Sequence, residues 1–167
     1  MVEPARERRP MSRYERLFER LAQTKTGAWL AINVANRIDR ILLPLTNGRF
    51  SISGPGIPIG RLTSIGAKSG VERHTPLLYT TDGERIVLVA SKGGAVKHPA
   101  WYHNVRAHPQ VRFLSKKGER GYRAAEATGE ERDRLWALVT DVYAGYDTYQ
   151  ERTERKIPVI VLEPDAA

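Results

Sequence analysis

The chain has 167 residues, 41% of them hydrophobic and 28% charged, which suits one folded domain with a real core plus an appendage and excludes a wholly disordered polypeptide. Lys and Arg total 27 against 19 Asp and Glu, a net charge of +8 that favours acidic partners without choosing among nucleic acid, anionic lipid and acidic small molecules. Cysteine is absent, so disulfides, a thiolate nucleophile and cysteine-based metal sites are excluded.

The arginine-rich stretch from Met1 to Pro10 is not followed by an apolar segment and does not read as a secretory signal; a cytoplasmic protein is expected. Met11, Tyr14, Leu17, Phe18 and Leu21 recur at helical spacing, with Arg13, Arg16, Glu19 and Arg20 between them, predicting an amphipathic helix with a cationic face. Such a helix fits peripheral contact with the inner face of a plasma membrane, or packing on the rest of the chain or on a second subunit in a homodimer. A second helical pattern runs through Leu30, Val34, Ile38, Ile41, Leu42 and Leu45. Asn33, Asn36, Arg37, Asp39 and Arg40 interrupt it too often for a membrane span. From Asn47 to Gly60 glycine and proline crowd together. These features divide the chain into a helical arm and linker over 1–58 and a second unit over 59–167.

From there short strands are expected: Leu62 to Ile65, Thr75 to Thr80, and Arg85 to Ser91, a β-branched run that reads as buried. Asp82-Gly83 predicts a hairpin turn. Pro99 opens a short helix ending at His108-Pro109, and Val111–Leu114 with Gly121–Thr128 form another hairpin around Lys116-Lys117-Gly118. Thr128-Gly129-Glu130-Glu131 has the form of a capping box before a helix with Leu135, Leu138, Val139 and Val142 on one face. A tyrosine-rich turn and a last strand, Ile157 to Leu162, complete the pattern. The fold class expected is α+β, a small antiparallel barrel with one inserted helix and one late helix.

Three segments carry side chains suited to chemistry. In Gly66-Ala67-Lys68-Ser69-Gly70, with Arg73 beyond it, two glycines let the backbone curl, and its N–H groups with Lys68, Ser69 and Arg73 suit a phosphate. A plain basic hairpin turn is the alternative, and the spacing is not that of a P-loop. In the second, a buried strand delivers Ser91 and Lys92 to its end, Gly93 and Gly94 admit a ligand closely, and a helix with Trp101 follows. Its alternative is a simple connection with a core tryptophan. The third is Tyr143, Tyr146 and Tyr149, at three-residue spacing, whose hydroxyls suit a polar substrate or proton transfer, or whose rings simply pack. His74, His98, His103 and His108 lack the spacing of paired metal ligands, so no metal is expected. No serine has a nucleophile-elbow setting. The positive charge is scattered, without a nucleic-acid-reading motif, so no nucleic-acid partner is expected.

Ala90-Ser91-Lys92-Gly93-Gly94, Lys97-His98-Pro99-Ala100-Trp101-Tyr102-His103-Asn104, Tyr143-Ala144-Gly145-Tyr146-Asp147-Thr148-Tyr149-Gln150 and Ile157-Pro158-Val159-Ile160-Val161-Leu162-Glu163-Pro164 together resemble the deazaflavin-dependent nitroreductase and quinone reductase family of actinobacteria. The resemblance runs from Gly60 to the C-terminus. It implies a split β-barrel related to FMN-binding barrels and coenzyme F420, a deazaflavin, as cofactor. It implies that Lys68, Ser69, Arg73, Lys92, Gly93 and Gly94 hold the cofactor's phosphate and acidic tail. Pro76, Ser91, Trp101 and Asn104 would border the ring and its linker, and Tyr143, Tyr146 and Tyr149 would face the electron acceptor. The reaction implied is hydride transfer to a quinone, nitro compound or activated alkene, with a proton from Tyr143, Tyr146, Ser91 or solvent. Relatives usually carry Gly-Arg-Lys-Ser/Thr-Gly in the first turn, and Ala67 here removes one phosphate donor, for which Arg61 or Arg73 would compensate. The competing readings are an FMN-binding oxidoreductase on the same barrel and a non-catalytic binder of deazaflavin or lipid.

Overall fold

The structure, a computed structural model, describes residues 58–165. The helical arm expected over 1–58 therefore lies outside the described residues, apart from Pro58. Six strands form a closed antiparallel barrel: β1 (Ile59–Ile65), β2 (Glu72–Asp82), β3 (Arg85–Val89), β4 (Gln110–Ser115), β5 (Gly118–Glu126) and β6 (Val159–Pro164). Their order around the barrel is β1-β2-β3-β6-β5-β4, closed by pairing of β1 with β4. Helix α1 (Ala100–Ala107) is inserted between β3 and β4, and α2 (Gly129–Val142) and α3 (Gly145–Glu151) lie between β5 and β6. This is the split β-barrel expected.

Two apolar clusters share the central strands. Leu62, Ile86, Leu88, Phe113, Ile160 and Leu162 pack together with Trp101, Tyr102 and Val105 of α1. The alternate residues Val87, Val89, Val159 and Val161 pack against Leu135 and Val139 of α2 and Tyr146 and Tyr149 of α3. Strands β3 and β6 are thus covered on both faces, which is why they read as continuous apolar runs. Where β1 crosses β4 the Phe113 ring occupies the space a side chain at Gly60 would need, so a glycine is required there.

Four local expectations are revised. The strands at β1 and β2 are longer than their apolar stretches, because ladder pairing carries Glu72 and Arg73 along with the buried residues. The β2–β3 hairpin turns on Gly83-Glu84 rather than Asp82-Gly83: Asp82 pairs with Arg85, and Gly83 takes the positive φ of 65°. Thr128 is the N-cap of α2 but makes no side-chain cap bond, and the Glu131 carboxylate instead accepts a hydrogen bond from Arg85 Nη1 at 2.8 Å. An ion pair across the fold outcompetes the capping box. The tyrosine-rich turn is helix α3 from Gly145 onward, since a missing Cβ at Gly145 leaves room for the Tyr143 ring.

Candidate active site

The first turn is built on its backbone and pinned by one distant side chain. Gly66 N donates to Val71 O at 2.9 Å, and Gly70 N donates to Gly66 O at 2.8 Å. Asn104 of α1 supplies the pin: its Oδ1 accepts from Ala67 N at 3.0 Å, and its Nδ2 donates to Ser64 Oγ at 3.4 Å. Asn104 and Ser64 are both buried, so this small polar set is satisfied internally. Lys68, Ser69 and Arg73 are exposed. Arg73 Nη2 donates to Ser69 Oγ at 3.4 Å, whereas Arg61 is turned to Glu119 in an ion pair of 3.2 Å. Of the two arginines proposed to compensate for Ala67, Arg73 is the one beside the turn.

The second segment has a distinctive backbone. Ser91 is right-handed, at φ −72° and ψ −44°, and Lys92, Gly93 and Gly94 follow with φ of 49°, 65° and 81°. A right-handed residue followed by a left-handed one turns successive N–H groups to one side, a concavity that suits an anion. Lys92 adopts its left-handed backbone with a side chain present, a strain of about 1–2 kcal/mol. Gly94 is required twice over, because a Cβ there would lie 2.6 Å from Tyr149 O and 2.9 Å from Arg152 Cβ. The loop is thereby seated on the end of α3. Among the described residues Lys68, Arg73, Lys92 and Lys97 take part in no ion pair, and Ser91 Oγ has no hydrogen-bond partner.

The other expected residues are more deeply placed. Pro76 is buried on β2 opposite Arg61. Trp101 is only 5% exposed and packs in the barrel cluster with Tyr102 and Val105. Tyr146 and Tyr149 are buried on α3, and Tyr143, half-buried, has its hydroxyl 3.0 Å from that of Tyr149. Burial holds the Tyr146 hydroxyl well above the ordinary phenol range.

Sequence reasoning missed Arg155 and His98. The Arg155 guanidinium donates to the carbonyls of Ala90, Ser91 and Ala95 and lies 3.2 Å from His98 Nδ1. Its only sequence signal is one cation within a charged run, Glu151 to Lys156, which looks like any solvated face. His98 stacks on Tyr102 with ring centroids 4.5 Å apart. Desolvation, then the Arg155 charge, holds its imidazole below the ordinary histidine range. Among the described residues no three His, Asp or Glu side chains converge as metal ligands.

These features fit an acidic, phosphate-bearing cofactor: a backbone concavity, unpaired cations on two segments, and an unengaged hydroxyl between strand and loop. Comparison with known proteins points the same way. The family model described as F420H(2)-dependent quinone reductase matches residues 36–164. An F420H(2)-dependent quinone reductase of Mycobacterium tuberculosis (strain ATCC 25618 / H37Rv) is 41% identical over 121 residues, covering 70% of this chain and 81% of the relative. Among solved structures, an F420-H2 dependent reductase superposes with a TM-score of 0.60 at 40% identity, covering 66% of this chain and all (100%) of its own. A second, described as a domain-swapped dimer, gives 0.62 at 39% identity over 76% of this chain and 94% of that one. The chain belongs to the F420H(2)-dependent quinone reductase family, oxidoreductases whose cofactor is coenzyme F420.

Proposed function

We propose that the chain reduces a quinone with reduced coenzyme F420, holding the cofactor's acidic portion on the 66–73 turn and the 91–97 loop. The observation that carries this reading is the αR–αL backbone at Ser91-Lys92, flanked by cations that take part in no ion pair among the described residues. Lys92 with the N–H groups around Gly93 and Gly94 would bind the phosphate, and Lys68, Ser69 and Arg73 would bind acidic groups further along the same molecule. Ser91, Pro76, Trp101 and Asn104 would flank the ring and linker. Of these, Trp101 contributes a rigid wall, because it is held in the core. Asn104 acts by fixing the first turn through Ala67 N.

When bound, the coenzyme supplies a hydride, and reduction of a quinone to a hydroquinone also needs protons. Tyr143 is the tyrosine best suited to hold one, with its Oη bonded to Tyr149 Oη and its side chain not fully buried. Tyr146 is buried on α3 and contributes a packed wall. Nitro compounds and activated alkenes would be further acceptors at the same place. The dimer described for a 39% identical structure supports a homodimer, and the cationic pattern over Met11–Leu21 supports contact with an anionic membrane, where quinones dissolve.

Fluorescence titration with coenzyme F420, with FMN alongside, tests the cofactor assignment. Saturable binding of F420 in preference to FMN is expected, followed by F420H2 oxidation with a soluble quinone. Tight binding without turnover of any quinone, nitroaromatic or activated alkene would favour a storage protein, and preference for FMN would favour the flavin reading.

A further inference from the structure

Arg155 lies between α3 and β6, and each of its side-chain hydrogen bonds goes to one stretch of chain 57 to 65 residues earlier. Nε donates to Ala95 O at 2.8 Å, Nη2 donates to Ser91 O at 2.8 Å and Ala90 O at 3.2 Å, and Nη1 faces His98 Nδ1 at 3.2 Å. None of these partners is a carboxylate, and among the described residues Arg155 takes part in no ion pair. A half-buried cation with carbonyls rather than carboxylates as its partners among the described residues is costly to keep, so its geometry needs an account. Only a planar guanidinium presents donors in a fixed fork wide enough to serve three carbonyls and a ring nitrogen at once.

We infer that Arg155 is a positioning residue of the cofactor site: its fork holds the Ser91–His98 loop in the shape that offers Lys92 and the loop's N–H groups to an anion. The identity of that anion rests on the proposed function, whereas the shaping of the loop rests on the hydrogen bonds alone. The same fork ties the loop to the protonation of His98. A hydrogen bond from Arg155 Nη1 requires His98 Nδ1 to be an unprotonated acceptor, and protonation would set two cations against each other. Around His98 stand Arg155, Tyr102, His103 and Arg106, together with the carboxylate of Glu126, which accepts from Tyr102 Oη at 2.8 Å. Among the described residues the cations outweigh the Glu126 carboxylate, so acid loosens the loop.

Amide hydrogen exchange of the cofactor-free full chain, beside titration with coenzyme F420, tests this in Arg155→Gln, Arg155→Lys and His98→Gln. The reporters are Gly94 N, bonded to Ser91 O at 3.1 Å, and Ala95 N, bonded to Lys92 O at 3.3 Å. In R155Q both should exchange about tenfold faster or more while Val87 and Leu88 in β3 are unchanged, and the Kd for the coenzyme should rise about tenfold. R155K should exchange as fast as R155Q yet recover part of the affinity, since it keeps the charge without the fork. H98Q should lose the fall in Gly94 protection, corrected for the intrinsic pH dependence of amide exchange, that the wild type shows as the pH drops below the ordinary histidine range. Reporter exchange and Kd both within twofold of wild type in R155Q would overturn the inference, as would an acid limb retained in H98Q. If R155Q also loses protection in β3, R155K decides: wild-type exchange at Gly94 and Ala95 in that variant sinks the idea. Failure of the wild type to bind F420 would sink the cofactor reading, and the exchange results would still decide the role of Arg155.

Discussion

The two segments proposed to hold the cofactor achieve a basic surface by opposite means. The 66–73 turn is exposed, its cations project on flexible side chains, and a side chain at Gly70 would meet only open space. One internal contact, from Asn104 to Ala67 N, ties it to α1. The 91–98 loop is the reverse: its backbone is driven to positive φ at three consecutive residues, seated against Tyr149 and Arg152, and held from behind by Arg155. The first segment offers charge that can follow a ligand, and the second offers a shape prepared before the ligand arrives. Substitutions in the turn should therefore change affinity and its salt dependence while sparing stability, and substitutions in the loop should change both together.

The largest effect is expected where shape is most constrained. Gly94→Ala combines a φ of 81° with a Cβ 2.6 Å from Tyr149 O. Loss of about 2–3 kcal/mol of stability is expected, with loss of measurable coenzyme binding, read by thermal melting and titration. A Gly94→Ala protein with wild-type melting and affinity would break the contrast between the segments. Next comes Asn104→Ala, which removes the partner of the buried Ser64 hydroxyl and of Ala67 N. A cost of about 1–3 kcal/mol is expected, with weaker binding carried by the first turn only, so that combining it with Lys68→Ala adds less than the sum of the two effects on affinity.

Arg73→Ala should be milder and purely electrostatic. Removing one charge-assisted contact should raise the coenzyme Kd about tenfold at low salt, less at high salt, with the melting temperature unchanged. The smallest effect is expected far from both segments, at the β2–β3 turn. There Asp82 bonds Arg85 and also accepts from Arg134 Nη2 at 2.7 Å. These arginines, Arg134 first and Arg85 next, hold the Asp82 carboxyl below its ordinary range. A depressed folded-state pKa gives stability that is present above the ordinary carboxylate pKa and is lost as the pH falls below it. Asp82→Asn should cost about 1 kcal/mol at neutral pH, with the difference from wild type shrinking in acid, and should leave coenzyme affinity untouched.

Much of the second segment was legible because its message is local. A β-branched run ending in Ser-Lys-Gly-Gly before Pro99 places a strand, a permissive backbone and a helix start in order, and β3, the loop and α1 follow that order. The site's supports were not legible. Arg155 acts across 65 residues at Ala90 and looks like surface in the sequence, and the bond from Asn104 to Ala67 N spans 37 residues. Tyrosines read as a turn became α3 because Gly145 makes room for Tyr143 instead of ending the fold's helices. Glu131 was lost as a cap partner because Arg85, 46 residues away, competes for it. Local chemistry was readable from the chain, and the contacts that set its geometry come from closing the barrel.

The most direct test of the two-segment account is a fluorescence titration with coenzyme F420 across a salt series, comparing the wild type with Lys68→Ala, Lys92→Ala and the double variant. The account predicts saturable binding that weakens with salt, a loss in each single variant, and a shallower salt dependence in the double variant. Saturable binding whose strength and salt dependence are the same in all four proteins would contradict it.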